Sequence, residues 1–355
     1  MTASARAHLE IEGSSHIALG AARGRLLDQS LPLAFAGYSE LFETLGITSG
    51  DVQRAGESSL EAVSAFNPGY AEQIQSLAAT VGMAEWQVSA LNARTEILSG
   101  AGVLGARECS TVAAPLRQGW GSAQTWDWHD ELSEYWHTQT VRGPGLEHVG
   151  VTEQGILAKI GLNEAGLGVH LNILAHRQDA VGGVPVHILC AAVLSECRSV
   201  EEAQQLLGSA EISSSSVLTL VESGRTVMCE LSPAGVFIVE QSEGPLLHTN
   251  HFLRPEPAEG ERSEAYNPDS IERMELLKTR AEAPTNLHEL SDVVGMLRSG
   301  PGDAQLCCLP EPGLSLGHRW RTLATVALDP SRRTAEILDG MPTEAEEKEW
   351  LSLTV

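Results

Sequence analysis

From about Leu26 to Ser99 apolar residues recur three and four apart, as in Ile74, Leu77 and Val81 and again in Ala84, Val88 and Leu91. That period predicts amphipathic helices, and Asn67-Pro68-Gly69 predicts a break between two of them. After Cys109 the texture changes to short apolar runs bounded by glycine, which predict strands over 155–160, 166–174, 217–221, 226–231 and 236–240. Two helices are expected over 186–196 and 199–207, the second opened by Ser199 with Glu202 three residues on, a capping-box spacing. Both are expected on one face of a sheet. A polar stretch over 255–267 predicts a surface loop, followed by helices near 270–280 and 287–297 and by strands over 304–309, 322–328 and 334–338. Helices gathered between groups of strands, with little strand-helix-strand alternation, favour an α+β layered sandwich over a doubly wound parallel sheet.

Charge narrows the partners. Among 355 residues, 23 Lys and Arg face 47 Asp and Glu, a formal charge of −24. Such a field repels phosphate backbones, so nucleic acid is excluded as an expected partner. With 42% hydrophobic and 20% charged residues the composition is that of a folded globular chain, long enough for one large or two ordinary domains. Met1 to Glu10 lacks a basic start followed by an apolar run, and no apolar stretch approaches about eighteen residues, so a cytoplasmic protein without a membrane partner is expected. Six cysteines are too sparse for a disulfide scaffold, which leaves each as packing or as a reagent.

Several familiar patterns lack their context. Gly313-Leu314-Ser315-Leu316-Gly317 has the spacing of a nucleophile elbow, but the only later histidine is His318 and no strand-helix-strand run precedes it, so a glycine-rich turn is expected. His248-Thr249-Asn250-His251, and His129 beside Asp127 and Glu131, contain metal-ligand types without metal-ligand spacing, and no metal is expected. No glycine-rich phosphate loop opens a helix, so no nucleotide cofactor is expected. Cys190 and Cys197 read as buried small hydrophobes, and Cys307 and Cys308 as alternating positions of a strand.

One set of residues remains. Arg107-Glu108-Cys109-Ser110-Thr111 stands where the helical texture yields to strands, and Gln124-Thr125-Trp126-Asp127-Trp128 follows it. Together with Asn92-Ala93-Arg94-Thr95-Glu96, the run from Lys159 to Leu167, His248-Thr249-Asn250-His251, and Thr322-Leu323 through Asp329 to Arg332 and Arg333, these segments resemble the acyl-coenzyme A:6-aminopenicillanic acid acyltransferase family of cysteine-type N-terminal nucleophile hydrolases. The resemblance spans nearly the whole chain.

It implies an αββα sandwich and a precursor that cuts its own backbone before Cys109, giving pieces of 108 and 247 residues: a helical segment, 1–108, and a catalytic segment, 109–355. The two would form one domain and remain partners. Cys109 would then carry both a thiol and an α-amine, whose pKa of about 8 suits it as a base. The thiolate would attack a small N-acylated compound and form an acyl-enzyme, resolved by water or by an amine. No cofactor is implied beyond an acyl-CoA co-substrate for a transferase. The resemblance further implies Asn250 as an oxyanion donor and Asp127 as the anion that orients the amine, with an arginine partner at Arg319 or Arg321. Trp126 and Trp128, with Tyr135 and Trp136, are expected around the acyl group. Glu108 stands where the penicillin-type acyltransferase has glycine, which leaves a second reading open: an unprocessed, catalytically silent binding protein of the same fold. A homo-oligomer is compatible with either.

Overall fold

Local capping chemistry divides the helical region. After strand β1 (His8–Glu12), helix α1 (His16–Leu27) opens where the Ser15 hydroxyl accepts from the Ala18 N–H. Helix α2 (Ser30–Thr44) is followed by α3 (Ser49–Phe66), which begins with a reciprocal Thr48/Asp51 capping box. Asn67 and Pro68 then start α4 (Pro68–Val81), and Gly82, at φ 72°, ends it in the left-handed conformation that glycine adopts without strain. Short helices α5 (Glu85–Asn92) and α6 (Arg94–Gly100) complete the region. The computed structural model describes residues 6–103, 109–241, 243–265, 269–282 and 287–355; the expected cleavage-site residue Glu108 lies outside them.

The rest of the chain alternates strands and helices in blocks. Strands β2 (Ser110–Leu116), β3 (Gly119–His129), β4 (Trp136–Arg142), β5 (His148–Glu153), β6 (Ile160–Asn163) and β7 (Gly168–Ile173) come first. Helices α7 (Val186–Glu196) and α8 (Val200–Ser209) precede β8 (Ser216–Glu222), β9 (Arg225–Ser232), β10 (Gly235–Val239) and β11 (Leu246–His248). Helices α9 (Pro255–Ala258), α10 (Asp269–Glu282) and α11 (Leu290–Met296) lead to β12 (Trp320–Asp329), β13 (Thr334–Leu338) and β14 (Trp350–Thr354).

Two sheets result. One has eight strands in the order β1-β4-β5-β6-β7-β8-β9-β10, and the other has six in the order β11-β2-β3-β12-β13-β14. Every described pairing is antiparallel except β1 with β4. The sheets face each other through β2 and β3 against β7, β8 and β9, and through β12 and β13 against β6. Helices α7 and α8 pack on strands β6 to β10, and α10 and α11 on strands β2, β3, β11 and β12. The layer order is therefore αββα, the α+β architecture that the resemblance implies. One apolar core runs through it and joins Leu31, Leu41, Ile74 and Leu91 of the helical region to Trp126, Trp128 and Trp136 of the strands.

Some elements differ from the sequence expectation. Residues 155–159 form a turn rather than a strand: Gly155 takes φ 88°, the Ile156 N–H donates back to the Glu153 carbonyl, and Ile156 and Leu157 still drop into the core. Residues 304–309 are irregular, held by Ser299 and by Thr322, whose hydroxyl accepts from the Cys308 N–H. Strands β1 to β5, β11 and β14 go beyond the expected set, and Gly313 and Gly317 occupy a turn with Ser315 exposed.

Candidate active site

Cys109 immediately precedes β2 and is 4% exposed. Its main chain is held by side chains from three other elements. Asn172 of β7 donates from Nδ2 to the Cys109 carbonyl at 2.8 Å, and Arg273 of α10 donates from Nη1 to the same oxygen at 3.2 Å. Thr125 of β3 accepts from the next amide, that of Ser110, at 3.1 Å.

Arg273 is the organising cation. It is 1% exposed, and besides the Cys109 carbonyl it reaches the Ser110 hydroxyl at 2.9 Å, Asn250 Oδ1 at 2.8 Å and the Asp269 carboxylate at 2.8 Å. A planar guanidinium can satisfy acceptors in several directions at once; a lysine ammonium cannot reproduce that fork. Asn250 is thereby oriented. Its oxygen faces Arg273, one Nδ2–H donates to the Ile173 carbonyl at 2.9 Å, and the amide has a second N–H to give. Asn172 is more fully occupied, since its Oδ1 accepts from Thr111 at 2.6 Å and from Gln124 at 3.2 Å.

The loop that carries Asn250 is pinned at both ends. Buried Glu230 of β9 accepts from His248 Nε2 at 2.9 Å and from the backbone N–H groups of Leu253 and Arg254. Ser270 accepts from the Asn250 N–H at 2.8 Å and also contacts Thr249 and His251. The histidines of this segment thus have hydrogen-bonding roles, and no group of three or more His, Cys, Asp or Glu among the described residues is placed to hold a metal ion.

Asp127 lies on β3, buried, with Oδ1 accepting from the Thr322 hydroxyl across the β3–β12 pair at 2.5 Å. Burial lifts its carboxyl to about 7, against the opposing pull of Thr322 and Arg273. The arginine whose charge Asp127 feels is therefore Arg273. This corrects the expected partner: Arg319 lies at the surface, 3.5 Å from Glu131, and Arg321 pairs with Asp130. Both are only partly exposed, Arg319 just before β12 and Arg321 as its second residue, and the carboxylates of Glu131 and Asp130 rather than that of Asp127 face them.

Trp126 and Trp128 are buried beneath cations. Lys159 Nζ lies 3.8 Å over the Trp126 ring and the Arg94 guanidinium 3.7 Å over Trp128, a cation–π arrangement for each. Glu153 joins the two cations, at 2.5 Å from Arg94 Nη2 and 2.9 Å from Lys159 Nζ, and it also accepts from the Tyr38 hydroxyl. Burial works to raise Glu153, but Arg94 and Lys159 outweigh it and hold the carboxyl well below the usual range. Burial likewise pushes Lys159 down to about 8 despite Glu153, and its ammonium interacts electrostatically with Cys109. Two cations against one carboxylate leave the wall beside Cys109 net positive. Of the other cysteines, burial pushes the Cys197 and Cys229 thiols up to about 12, Cys190 higher still, and Cys307 above its ordinary value.

The structure thus brings Cys109 and Asn250 onto one arginine, whose charge also acts on Asp127, and sets Trp126 and Trp128 under a second charge cluster. Sequence reasoning missed Arg273, Asn172 and Glu153. Arg94 and Lys159 stood within segments of the resemblance, without a role.

The model of the family described as acyl-coenzyme A:6-aminopenicillanic acid acyl-transferase matches residues 119–344. The 40 kDa form of acyl-coenzyme A:6-aminopenicillanic-acid-acyltransferase from Emericella nidulans is 28% identical over 189 residues, 52% of this chain and 52% of that protein. The match spans about half the length of that curated relative. Among solved structures, a Caenorhabditis elegans ortholog of N-acylethanolamine-hydrolyzing acid amidase is 14% identical with a TM-score of 0.45, covering 70% of this chain and 100% of that one. A mutant conjugated bile acid hydrolase from Clostridium perfringens is 12% identical with a TM-score of 0.46, covering 69% and 92%. Penicillin V acylase from Agrobacterium tumefaciens is 13% identical with a TM-score of 0.41, covering 69% and 86%. With more than half of its length matched by the family's model, the chain belongs to the acyl-coenzyme A:6-aminopenicillanic acid acyltransferase family.

Proposed function

We propose that this chain is a self-processing cysteine amidohydrolase or N-acyltransferase that acts on the C–N bond of a small N-acylated compound. The observation that carries the reading is the gathering of Arg273, Asn250 and Asn172 around the main chain of Cys109 at the head of β2. In this scheme, hydrolysis of the peptide bond between Glu108 and Cys109 consumes one water and gives Cys109 a free α-amine. The β2–β3 register pairs Ser110 with Thr125, so continuing it sets Cys109 opposite Trp126 and the new amine beside Asp127. Asp127 then positions the amine and Arg273 balances its charge.

The amine takes the thiol proton as sulfur attacks the substrate carbonyl, and the tetrahedral oxyanion accepts the remaining N–H of Asn250. Collapse expels the substrate's amine, which receives that proton, and leaves a thioester on Cys109. Water resolves the thioester in hydrolysis and a second amine resolves it in transfer; where an acyl-CoA is the donor, the sulfur attacks its thioester carbonyl instead, coenzyme A leaves as the thiol with that proton, and the acceptor amine takes the acyl group from Cys109 and returns its proton to the α-amine. The net positive wall of Arg94, Glu153 and Lys159 suits an anion on sulfur. Trp126 and Trp128 support that wall from beneath, and in this reading they shape the acyl subsite through it.

Glu108 favours one alternative, a silent binding protein of the same fold, because a bulky anion does not relax the backbone for self-cleavage as glycine does. Incubation with N-acyl amino acids, N-acyl amines and β-lactams, followed by mass spectrometry of the protein, separates the readings. Acyl adducts on the peptide that begins with Cys109, lost in Cys109→Ala, support the enzyme. Unmodified protein together with intact substrate across the panel contradicts it.

A further inference from the structure

A cavity of mixed apolar and polar lining, sharing no residue with the cluster around Cys109, lies where α1, α4, the β4–β5 turn and α7 meet. Its volume is about 160 Å³, and Arg23, Tyr70, Gln73, His148, Ala191 and Glu196 are among its walls. Arg23 is 2% exposed, yet each hydrogen bond it makes ends on a neutral oxygen: Gln73 Oε1 at 3.0 Å, Gln139 Oε1 at 2.7 Å and the Leu157 carbonyl at 2.9 Å. Those three bonds leave one N–H on each terminal nitrogen. No carboxylate among the described residues forms an ion pair with it. Glu196, the one carboxylate lining the cavity, is exposed at the rim and already accepts from Tyr70 and Asn67.

A buried guanidinium without a counter-charge is costly, and burial alone pulls Arg23 down to about 9. The clamp on Gln73, Gln139 and Leu157 takes three N–H donors, one more than a neutral amide carries, and the cavity against the cation offers the missing anion a place.

His148 adds a second requirement. Its Nδ1 faces the Leu146 carbonyl at 3.2 Å, an oxygen that only accepts, so Nδ1 carries the proton. Burial pushes the ring's pKa down to about 4, so it is neutral and Nε2 presents a lone pair, which has no partner among the described residues. A ligand that satisfies both walls is an anion with a proton of its own to donate.

We propose that this cavity binds a small oxyanion bearing a hydroxyl donor, the chemistry shared by hydrogen phosphate and 2-hydroxycarboxylates, with Arg23 holding the charge and His148 Nε2 accepting from the hydroxyl. The walls come from both sides of residue 109, so a bound anion joins the helical region to the strand region.

The test is the melting temperature of the full chain at pH 7, titrated with phosphate, sulfate, glycolate or acetate at ionic strength matched with chloride. A ligand specific to the native state raises stability with the logarithm of its concentration above Kd. Phosphate or glycolate should give a rise with a defined midpoint, and sulfate and acetate, similar in shape but without the donor at this pH, a rise at least several-fold weaker in midpoint. Which of phosphate and glycolate acts at lower concentration identifies the phosphate or carboxylate source. Arg23→Gln should abolish the rise, and Ala191→Leu, which fills the cavity and leaves Arg23 in place, should abolish it even if Arg23→Gln does not fold. No response beyond chloride, equal responses to sulfate and phosphate, or an undiminished response in a folded variant would overturn the proposal.

Discussion

Arg273 joins more of the candidate site than any other side chain, bonding to the carbonyl of the candidate nucleophile, the neighbouring hydroxyl and the amide of Asn250. Arg273→Lys keeps the charge but loses the fork, so the reading predicts kcat lower by about 10²-fold or more with a smaller change in KM. Asn250→Ala removes the proposed oxyanion donor and should lower kcat on a similar scale, about 10²–10³-fold, while Asn250→Asp, which cannot donate, should not rescue it. Steady-state kinetics on any turned-over amide checks both. Asp127 gives a prediction independent of activity. Its folded-state pKa of about 7 exceeds the ~3.9 of an unfolded aspartate, so the native state binds the proton more tightly. The resulting stability is present below about pH 4 and is lost as pH rises through about 7. In an uncut Cys109→Ala background, Asp127→Asn should therefore flatten the fall in unfolding free energy between those limits, measured by denaturant titration. An unchanged slope would contradict the buried, raised carboxyl. Arg273 itself was not legible in the sequence. It sits in a charged helix four residues after Asp269, a spacing that reads as a solvated surface pair, whereas in the fold the distant segments at Cys109, Ser110 and Asn250 hold it in the interior.

At the scale of elements, period and punctuation carried most helices and the strands from β7 on, except β11 and β14. Strand β13 and the helices α7, α8, α10 and α11 fall within a few residues of their predicted limits, because apolar spacing, Ser199 and the glycines are local signals. The edge strand β1 pairs only with β4 and β14 only with β13, so half of their backbone partners are absent and their short patterns give little to read. The turn after β5 was misread because Ile156 and Leu157 are as apolar as a strand while Gly155 redirects the chain. One close approach was also invisible. Gly150 and Gly161 face each other across β5 and β6, and a Cβ on Gly150 would come within 2.0 Å of the Ile160 carbonyl oxygen, on Gly161 within 2.2 Å of that of Val149. Because the obstacles are backbone atoms, Gly161→Ala should destabilise the fold by about 2 kcal/mol or more. Equilibrium unfolding of the variant checks this, and a loss under about 0.5 kcal/mol would mean the strands can separate at little cost.

For the molecule as a whole, the helical region is part of the core rather than an appendage. Residues of α2 to α5 share one apolar cluster with Cys109, Trp126 and Trp128, and Arg94 and Tyr38 from that region complete the charge cluster on Glu153 from the other side of the proposed cut. Cleavage before Cys109 should leave pieces of 108 and 247 residues that elute together on size exclusion under native conditions and separate only in denaturant. Separation in native buffer would contradict a shared core. No helix among the described residues is long and apolar enough to cross a membrane. The central claim is that Cys109 becomes the first residue of its own chain, and N-terminal sequencing of an active preparation, with intact mass measured on the same sample, tests it most directly. The account predicts a sequence beginning Cys109-Ser110-Thr111 in wild type and a single uncut chain in Cys109→Ala. An active preparation whose only new N-terminus lies elsewhere, or which shows none at all, would contradict it.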